Sequence, residues 1–402
     1  MQVGDEILVT TQRPATGGAV GRTEEGQVVF LRHTLPGETV VARVTEVSRS
    51  FARGDAIDIR SPHLDRVPAP CAYAHPGGCG GCDLQHAGVE AQLDWKSSVV
   101  SEHLSRIAHL DWVVNVEEVG VEPHGSRTRV RCAVDADGRL GLRASRRTDI
   151  IALNECWIAD PSLSPAFSEV WTGFDEVELR AIGETSFAVA RRDDGDESIY
   201  SIHSVDGGSL PADTVSTVRV GGHDFRVGPL SFWQSHRSAP DILTAAVLEG
   251  ADVNLGDHVV DLYSGVGLFT VPLAAAVGPT GRVTAVESSE DAVADATFNT
   301  RRARHVTHRN WRVTPRAMND TVAAGDIVVM DPPRGGVGHA AMTALVRRAP
   351  RRVVYVSCDA ATFARDLAVL LAADYRIHSL RAFDLFPMTE HVEIVAVLDA
   401  PR

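Results

Sequence analysis

From Gly228-Pro229 onward the chain alternates short apolar runs with alanine-rich stretches of helical length: Val259-Val260, Val283–Val286, Ile327–Met330 and Val353–Val356 recur in that order. Apolar strands spaced by helices fold into a doubly wound α/β domain with a mainly parallel sheet, and ligands gather at the carboxyl edge of its strands. Two other patterns precede it. As far as Ile59 the chain reads as short strands, Glu6–Thr11, Gln27–Leu31, Thr39–Val47 and Phe51–Ile59, with turn signals at Gly17-Gly18, Glu24-Glu25-Gly26 and Leu35-Pro36-Gly37-Glu38. That spacing predicts a small β-barrel. The proline-rich stretch from Ser61 to Pro70 marks a boundary near residue 60. Leu93, Val99, Val100, Leu104 and Ile107 then sit mostly at helical spacing, and the region from about Arg127 to Ile202 is strand-rich. Three domains are expected in the 402 residues: a barrel over 1–60, a central α+β domain over 61–230 whose helix at about 90–110 docks on the last domain, and the α/β domain over 231–402.

Composition narrows the class. With 44% hydrophobic and 23% charged residues, and no apolar run near the ~18 residues a membrane span needs, the chain is globular rather than membrane-embedded or disordered. Its start lacks the basic and apolar regions of a secretory signal, so a cytoplasmic location is expected. A net charge of −14 argues against indiscriminate attraction to polyphosphate but leaves room for a local basic face. Lys96 is the only lysine; every other basic residue is arginine, which binds phosphate bidentately and stacks on bases. Of six cysteines, Cys71, Cys79 and Cys82 form a C-x7-C-x2-C cluster, Cys132 and Cys156 stand apart, and Cys358 lies far downstream. In such a chain that pattern means metal binding and catalysis rather than disulfides.

The chemistry-bearing motifs all lie at strand ends. His258–Leu262 runs into Tyr263-Ser264-Gly265-Val266-Gly267, where glycines let the backbone approach a ligand, and Glu287 ends the next strand, placed to accept hydrogen bonds from ribose hydroxyls. There is no P-loop, and Thr270 occupies the last position of a G-x-G-x-x-G fingerprint, so S-adenosylmethionine fits better than ATP or NAD. The next strand ends in Asp331-Pro332-Pro333-Arg334. Amino-methyltransferases carry an aromatic residue after a similar Asp-Pro-Pro segment, and Arg334 in its place disfavours methylation of an exocyclic amine. A further strand ends at Cys358, facing the same crevice, and Glu393 opens a β-like stretch near the end of the chain, where a desolvated carboxylate can act as a base.

Taken together, these residues resemble the S-adenosylmethionine-dependent RNA uracil-5-methyltransferases, in particular members that carry a TRAM barrel and a 4Fe-4S cluster. The likeness covers nearly the whole chain through Leu35-Pro36-Gly37-Glu38, Cys79-Gly80-Gly81-Cys82, Ser231-Phe232-Trp233-Gln234, the Asp261 loop, Asp331-Pro332-Pro333-Arg334, Ser357-Cys358 with Arg365-Asp366-Leu367, and Phe386-Pro387 through Glu393. It implies that Cys358 is the nucleophile adding to uracil C6 and Glu393 the base removing the C5 proton. It also implies that Asp331 helps hold uracil or cofactor, and that Gln234, Tyr263 and Glu287, with the Gly265 and Gly267 turn, bind S-adenosylmethionine. Cys71, Cys79, Cys82 and Cys156 would ligate the cluster, although a four-cysteine zinc site uses the same donors. Cys132 is left to pack in a strand. The barrel would grip RNA, with 23S ribosomal RNA expected as substrate and the T-loop uridine of tRNA as the alternative. A monomer without membrane or obligate protein partner is expected.

Two positions depart from the family pattern. Asp359-Ala360 replaces the usual Asn-Pro after the nucleophile and brings a negative charge that disfavours a nearby thiolate. Asn310-Trp311-Arg312 replaces an expected Gly-Asp contact to adenine. The first departure and the acidic net charge motivate a rival reading, an RNA-binding iron-sulfur protein with weakened or lost catalysis.

Overall fold

The computed structural model describes residues 1–195 and 197–401. The amino-terminal strands β1 (Glu6–Ala15), β2 (Gly18–Arg22), β3 (Val28–Arg32), β4 (Thr39–Val47) and β5 (Phe51–Ser61) close into a barrel in the order β1-β2-β3-β5-β4. Alternation along these strands sends Val29, Leu31, Val40, Ala42, Val44 and Ala52 inward. Four strands fall where the sequence indicates, and β2 is a fifth where Gly17-Gly18 reads only as a turn. Gly18 has φ +133°, and a Cβ on it would stand 2.4 Å from the Leu31 carbonyl oxygen, so glycine lets β2 start against β3.

Helix α1 (Val89–Ile107) and the short strand β6 (Val116–Glu117) follow. α1 joins two domains. Its Trp95 and Val99 pack with Ala19 and Leu35 of the barrel, while Val100 and Leu104 enter the core of the carboxyl-terminal domain beside Val260 and Val353. Full burial of a leucine such as Leu104 contributes roughly 1.5–3 kcal/mol.

The central sheet consists of β7 (Arg129–Val134), β8 (Leu140–Arg143), β9 (Ile150–Ala152), β10 (Glu176–Ile182), β11 (Thr185–Asp194), β12 (Glu197–Ser204) and β13 (Ser209–Leu210), in the order β13-β12-β11-β10-β7-β8-β9. Its core holds Leu163, Trp171, Val177 and Leu179, and Cys132 is fully buried there within β7. A hairpin of β14 (Ser216–Val220) and β15 (His223–Val227) leads onward, with Phe225 and Val227 already packed in the core of the following domain.

That domain contains α2 (Ala239–Ala251), β16 (His258–Leu262), α3 (Thr270–Val277), β17 (Arg282–Glu287), α4 (Glu290–Asn299), β18 (Val306–Asn310), α5 (Pro315–Thr321), β19 (Ile327–Met330), α6 (His339–Arg348), β20 (Arg352–Ser357), α7 (Ala360–Leu371), β21 (Arg376–Phe383) and β22 (Glu393–Asp399). The sheet order is β18-β17-β16-β19-β20-β22-β21-β6. β16 to β20 run parallel, and β22 inserts antiparallel between β20 and β21. Parallel strands covered on both faces read as continuous apolar runs, and Ile327–Met330 and Val353–Val356 are buried throughout. No helix among the described residues is long and apolar enough to cross a membrane.

Candidate active site

The turn after β16 is shaped by its backbone. Tyr263 adopts φ +63°, a left-handed conformation unusual for a bulky residue, and Gly265 and Gly267 follow at φ +53° and +91°. Glu287, at the end of β17, reaches back across this turn: its carboxylate accepts hydrogen bonds from the amides of Gly265 (3.1 Å), Ser288 (2.6 Å) and Ser289 (2.8 Å). Asp261 lies beneath. Its Oδ2 accepts from the Thr270 hydroxyl at 2.5 Å, while its Oδ1 and the Ser264 hydroxyl are buried without a partner among the described residues. Burial lifts the Asp261 carboxyl to about 7 against the pull of Thr270, with Asp331 and Glu287 adding to the rise. Orphaned buried polar atoms at a strained turn fit a cradle for a polar ligand bearing hydrogen-bond donors.

Cys358 follows β20 directly. Pairing of Ser357 with Ile394 in the antiparallel β20–β22 ladder puts Cys358 across from Glu393 at the carboxyl edge. Asp331 leaves β19 beside them, and Gln234 donates to its carboxylate at 3.3 Å. The result is an acidic, desolvated cluster. Burial, then Glu393 and Asp331, push the Cys358 thiol up to about 12, with Arg334 opposing. Burial lifts Asp331 to about 7, and burial together with Asp331 raises Glu393 well above the usual carboxylate range. Asp359 has a different principal task. Its side chain accepts from the Thr362 amide at 2.8 Å and caps α7, and among the groups around the thiol it ranks behind Glu393, Asp331 and Arg334.

The segment Arg365-Asp366-Leu367 explains how Arg334 is held. Asp366, fully buried, accepts from the Tyr355 hydroxyl at 2.9 Å and from the Val337 amide at 2.6 Å. Arg365 donates to the Gly335 carbonyl (2.8 Å) and Thr362 to the Arg334 carbonyl (2.9 Å), so α7 pins the turn after Asp331-Pro332-Pro333. Gly336 makes room for this, since at φ +72° its Cβ would meet Asp366 Oδ2 at 2.6 Å.

A cavity of about 270 Å³ is lined by Cys71, Cys79, Cys82 and Cys156 together with Arg127 and Arg334. All four cysteines are free thiols. No set of three or more His, Cys, Asp or Glu side chains among the described residues is gathered tightly enough to hold a metal ion, so the thiols surround a space rather than converge on a point. Arg334 has a more central place than the sequence reading gave it. It lines this cavity and also acts electrostatically on both Cys358 and Glu393. Its one signal in the sequence was its place after Asp-Pro-Pro.

Comparison with known proteins gives the family. Residues 2–57 match the TRAM domain family, and residues 309–400 match the family described as tRNA (Uracil-5-)-methyltransferase. Residues 225–322, which hold the Gly265–Glu287 turn, also match Protein-L-isoaspartate(D-aspartate) O-methyltransferase. A Streptomyces coelicolor protein named as an uncharacterized RNA methyltransferase is 43% identical across 99% of this chain and 93% of its own length. The 23S rRNA (uracil(1939)-C(5))-methyltransferase RlmD of Acinetobacter baylyi is 30% identical across 94% of this chain and 90% of its own length. The chain belongs to the RNA (uracil-5-)-methyltransferase family. It is therefore an S-adenosylmethionine-dependent RNA (uracil-5-)-methyltransferase with an amino-terminal TRAM barrel. The fold of this uracil-5-methyltransferase is shared by the Pyrococcus abyssi tRNA (uracil-54, C5)-methyltransferase, crystallised with S-adenosyl-L-homocysteine, at a TM-score of 0.71 and 24% identity over 97% of this chain and 99% of that one.

Proposed function

We propose that this enzyme methylates C5 of a specific uridine in 23S ribosomal RNA through a covalent Cys358 adduct. The observation that carries the reading is the pairing of Cys358 and Glu393 across β20 and β22, beside Asp331, at the edge where the Gly265–Glu287 turn also opens. Uracil C5 is too weak a nucleophile to take a methyl group unaided. Addition of the Cys358 thiolate to C6 moves an electron pair toward C5, and S-adenosylmethionine supplies the methyl group as a sulfonium electrophile. Glu393 then takes the C5 proton; the released pair re-forms the C5–C6 double bond and expels the thiolate. Gln234, Tyr263, Gly265, Gly267, Glu287 and Asp331 are assigned to cofactor binding, with the orphaned Asp261 Oδ1 beneath the turn as a further acceptor. The uridine must be flipped out, because thiolate and sulfonium need the ring unstacked.

The choice of 23S rRNA rests on the Acinetobacter baylyi relative, which aligns over 90% of its length. The name of the Pyrococcus abyssi structure keeps tRNA as the alternative. We assign RNA gripping to residues 1–60, the cysteine cavity to 61–230 and methyl transfer to 231–402, in a cytoplasmic enzyme. The resemblance favours a 4Fe-4S cluster over a zinc ion for the four cysteines that line one cavity, and the cluster would be structural, since methyl transfer needs no electron. The weakened-catalysis reading rests on Asp359-Ala360 and the acidic charge; Asp359 caps α7 and also adds to the rise of the Cys358 thiol, and turnover by the unmutated protein decides between the two readings.

RNA containing 5-fluorouridine tests the mechanism, because Glu393 cannot remove fluorine as a cation. Anaerobically purified enzyme should form a denaturation-resistant crosslink that peptide mapping places on Cys358; a crosslink elsewhere, or full activity in Cys358→Ala, overturns the assignment. Nucleoside mass spectrometry on unmodified 23S rRNA and tRNA decides the RNA class. Brown protein with iron and acid-labile sulfide, lost in Cys79→Ser, supports the cluster, and colourless zinc-rich protein refutes it.

A further inference from the structure

The strongest charge anomaly of the molecule lies away from the cysteines. Residues 301–316 carry six arginines, Arg301, Arg302, Arg304, Arg309, Arg312 and Arg316, and no acidic residue, in a chain of net charge −14. All six are exposed. Among the described residues only Arg316 forms a salt bridge, to Asp320 at 3.5 Å. They follow β18, the outermost strand of the sheet on that side, and the turn that precedes it. Two exposed aromatic rings interleave with them: Phe298 lies under the guanidiniums of Arg301 (4.0 Å) and Arg226 (5.1 Å), and Trp311 under that of Arg309 (5.3 Å).

A bland explanation exists for part of this. Charged side chains on an edge strand prevent it from pairing with another sheet. That accounts for Arg309 within β18 but not for Arg301, Arg302 and Arg304 in the preceding turn, where there is no ladder to protect. It also leaves the exposed arginine–aromatic stacks unexplained. Unneutralised arginines beside exposed rings are the composition of a polyphosphate track that also stacks bases. The track starts in the right place: pairing of Glu287 with Asn310 puts the carboxyl end of β18 beside the acid assigned to the cofactor, and the five residues of β18 lead away from the crevice for about 16 Å.

We infer that the arginine-rich edge formed by β18 and its flanking turns is an RNA-contact surface that binds the phosphate backbone of the substrate outside the target-uridine crevice. The inference rests on the RNA reading above, and names where the part of the substrate beyond the crevice lies. Such contacts release counterions and so appear in the salt dependence of binding, at about 0.7–0.9 in slope per phosphate neutralised.

The test uses the full-length protein and its Arg301→Gln/Arg302→Gln/Arg304→Gln variant, titrated over a salt series with an unmodified 23S rRNA transcript and with a short oligoribonucleotide carrying one uridine. For the transcript, the variant should bind about tenfold or more weakly and show a slope of log Kd against log salt smaller by about 2. Binding of the short oligoribonucleotide, and kcat on saturating transcript, should not change. Arg302→Glu provides a milder, single-site check should the triple variant misfold. Unchanged transcript affinity and slope in a folded variant overturn the inference. So does a variant that only aggregates more, which is the edge-protection outcome, or one in which only self-association of the protein changes. A wild-type protein that binds the transcript through this edge without methylating it leaves the inference standing and brings down the catalytic reading instead.

Discussion

Lys96 Nζ lies 2.5 Å from Asp384 Oδ1 and 3.0 Å from the Phe386 carbonyl oxygen, sealed from solvent. This ion pair joins α1 to the segment that leads into Glu393. The same segment is tied from two other directions. The amides of Asp83 and Leu84, next to Cys82, both donate to the Met388 carbonyl at 3.0 Å, and the Gly17 amide of the barrel donates to Glu390 at 2.5 Å. Gln92 of α1 accepts from the Met388 amide at 2.9 Å, holding that residue at φ +67°. Three amino-terminal elements thus converge on the chain just ahead of Glu393.

Removing the lysine should therefore harm both stability and catalysis. Burial lowers the Lys96 pKa and Asp384 opposes that shift, so the pair is a balanced one whose disruption leaves a carboxylate stranded. Lys96→Ala is expected to cost about 3–5 kcal/mol in urea unfolding. Where the variant is folded, single-turnover methylation should slow while RNA affinity stays the same. Lys96→Ala/Asp384→Leu should regain most of the stability and little of the rate.

The acids around Cys358 set a pH dependence. Burial lifts Asp331 to about 7, and burial together with Asp331 raises Glu393 well above the usual carboxylate range, so Glu393 becomes available as a base only as pH climbs past that range. The value of kcat/KM should rise with pH beyond the usual carboxylate range and across neutral pH. In Asp331→Asn, Glu393 loses its neighbour's repulsion, and whatever activity remains should show that rise displaced to lower pH. A flat profile across neutral pH in the wild-type enzyme would contradict the pairing.

Thiol reactivity gives a separate readout. Burial, Glu393 and Asp331 hold the Cys358 thiol protonated up to about 12, and Arg334 pulls the other way. Alkylation by iodoacetamide, followed by mass spectrometry of the Cys358 peptide, should be slow at neutral pH and still climbing at alkaline pH. Glu393→Gln should speed it by roughly tenfold at a fixed alkaline pH, and Arg334→Gln should slow it. Equal rates in all three proteins would show that these groups do not govern the nucleophile.

What could be read in advance follows a physical line. Parallel strands buried on both faces leave continuous apolar runs, so the strands ending at Asp261, Glu287, Asp331 and Cys358 were visible in the sequence. β2 was not, because a glycine that permits close approach looks the same as one that makes a turn. Nor were the partners of Lys96: a lysine within an amphipathic pattern signals solvent, and only the fold brings it to Asp384, 288 positions away. Asp359 reads as a charge hazard for the nucleophile and does add to the rise of the Cys358 thiol, while its cap on the Thr362 amide is a second role that the charge alone does not signal. Long-range pairing, which local pattern does not carry, decides β2 and Lys96, whereas the Asp359 cap spans only three residues.

Acid stability isolates one contact between the barrel and the linker that follows it. Glu38 is fully buried, and its carboxylate accepts from Thr34 (2.9 Å), from the amides of Leu35 (2.8 Å) and His63 (3.0 Å), and from Arg66 (2.5 Å). Burial pushes its pKa up, but Arg66 and the two amides outweigh burial and hold it down from 4.5 to about 2. A carboxyl lowered on folding stabilises the native state above its unfolded value and loses that contribution as pH falls through the folded one. The barrel junction should accordingly weaken between about pH 4.5 and pH 2. Glu38→Gln should remove this limb, leaving a protein already destabilised by about 3 kcal/mol at neutral pH whose stability then changes less on acidification. Urea midpoints of both proteins between neutral pH and pH 3 measure it, and parallel curves for wild type and variant would show that the Glu38–Arg66 contact does not hold the barrel to its linker.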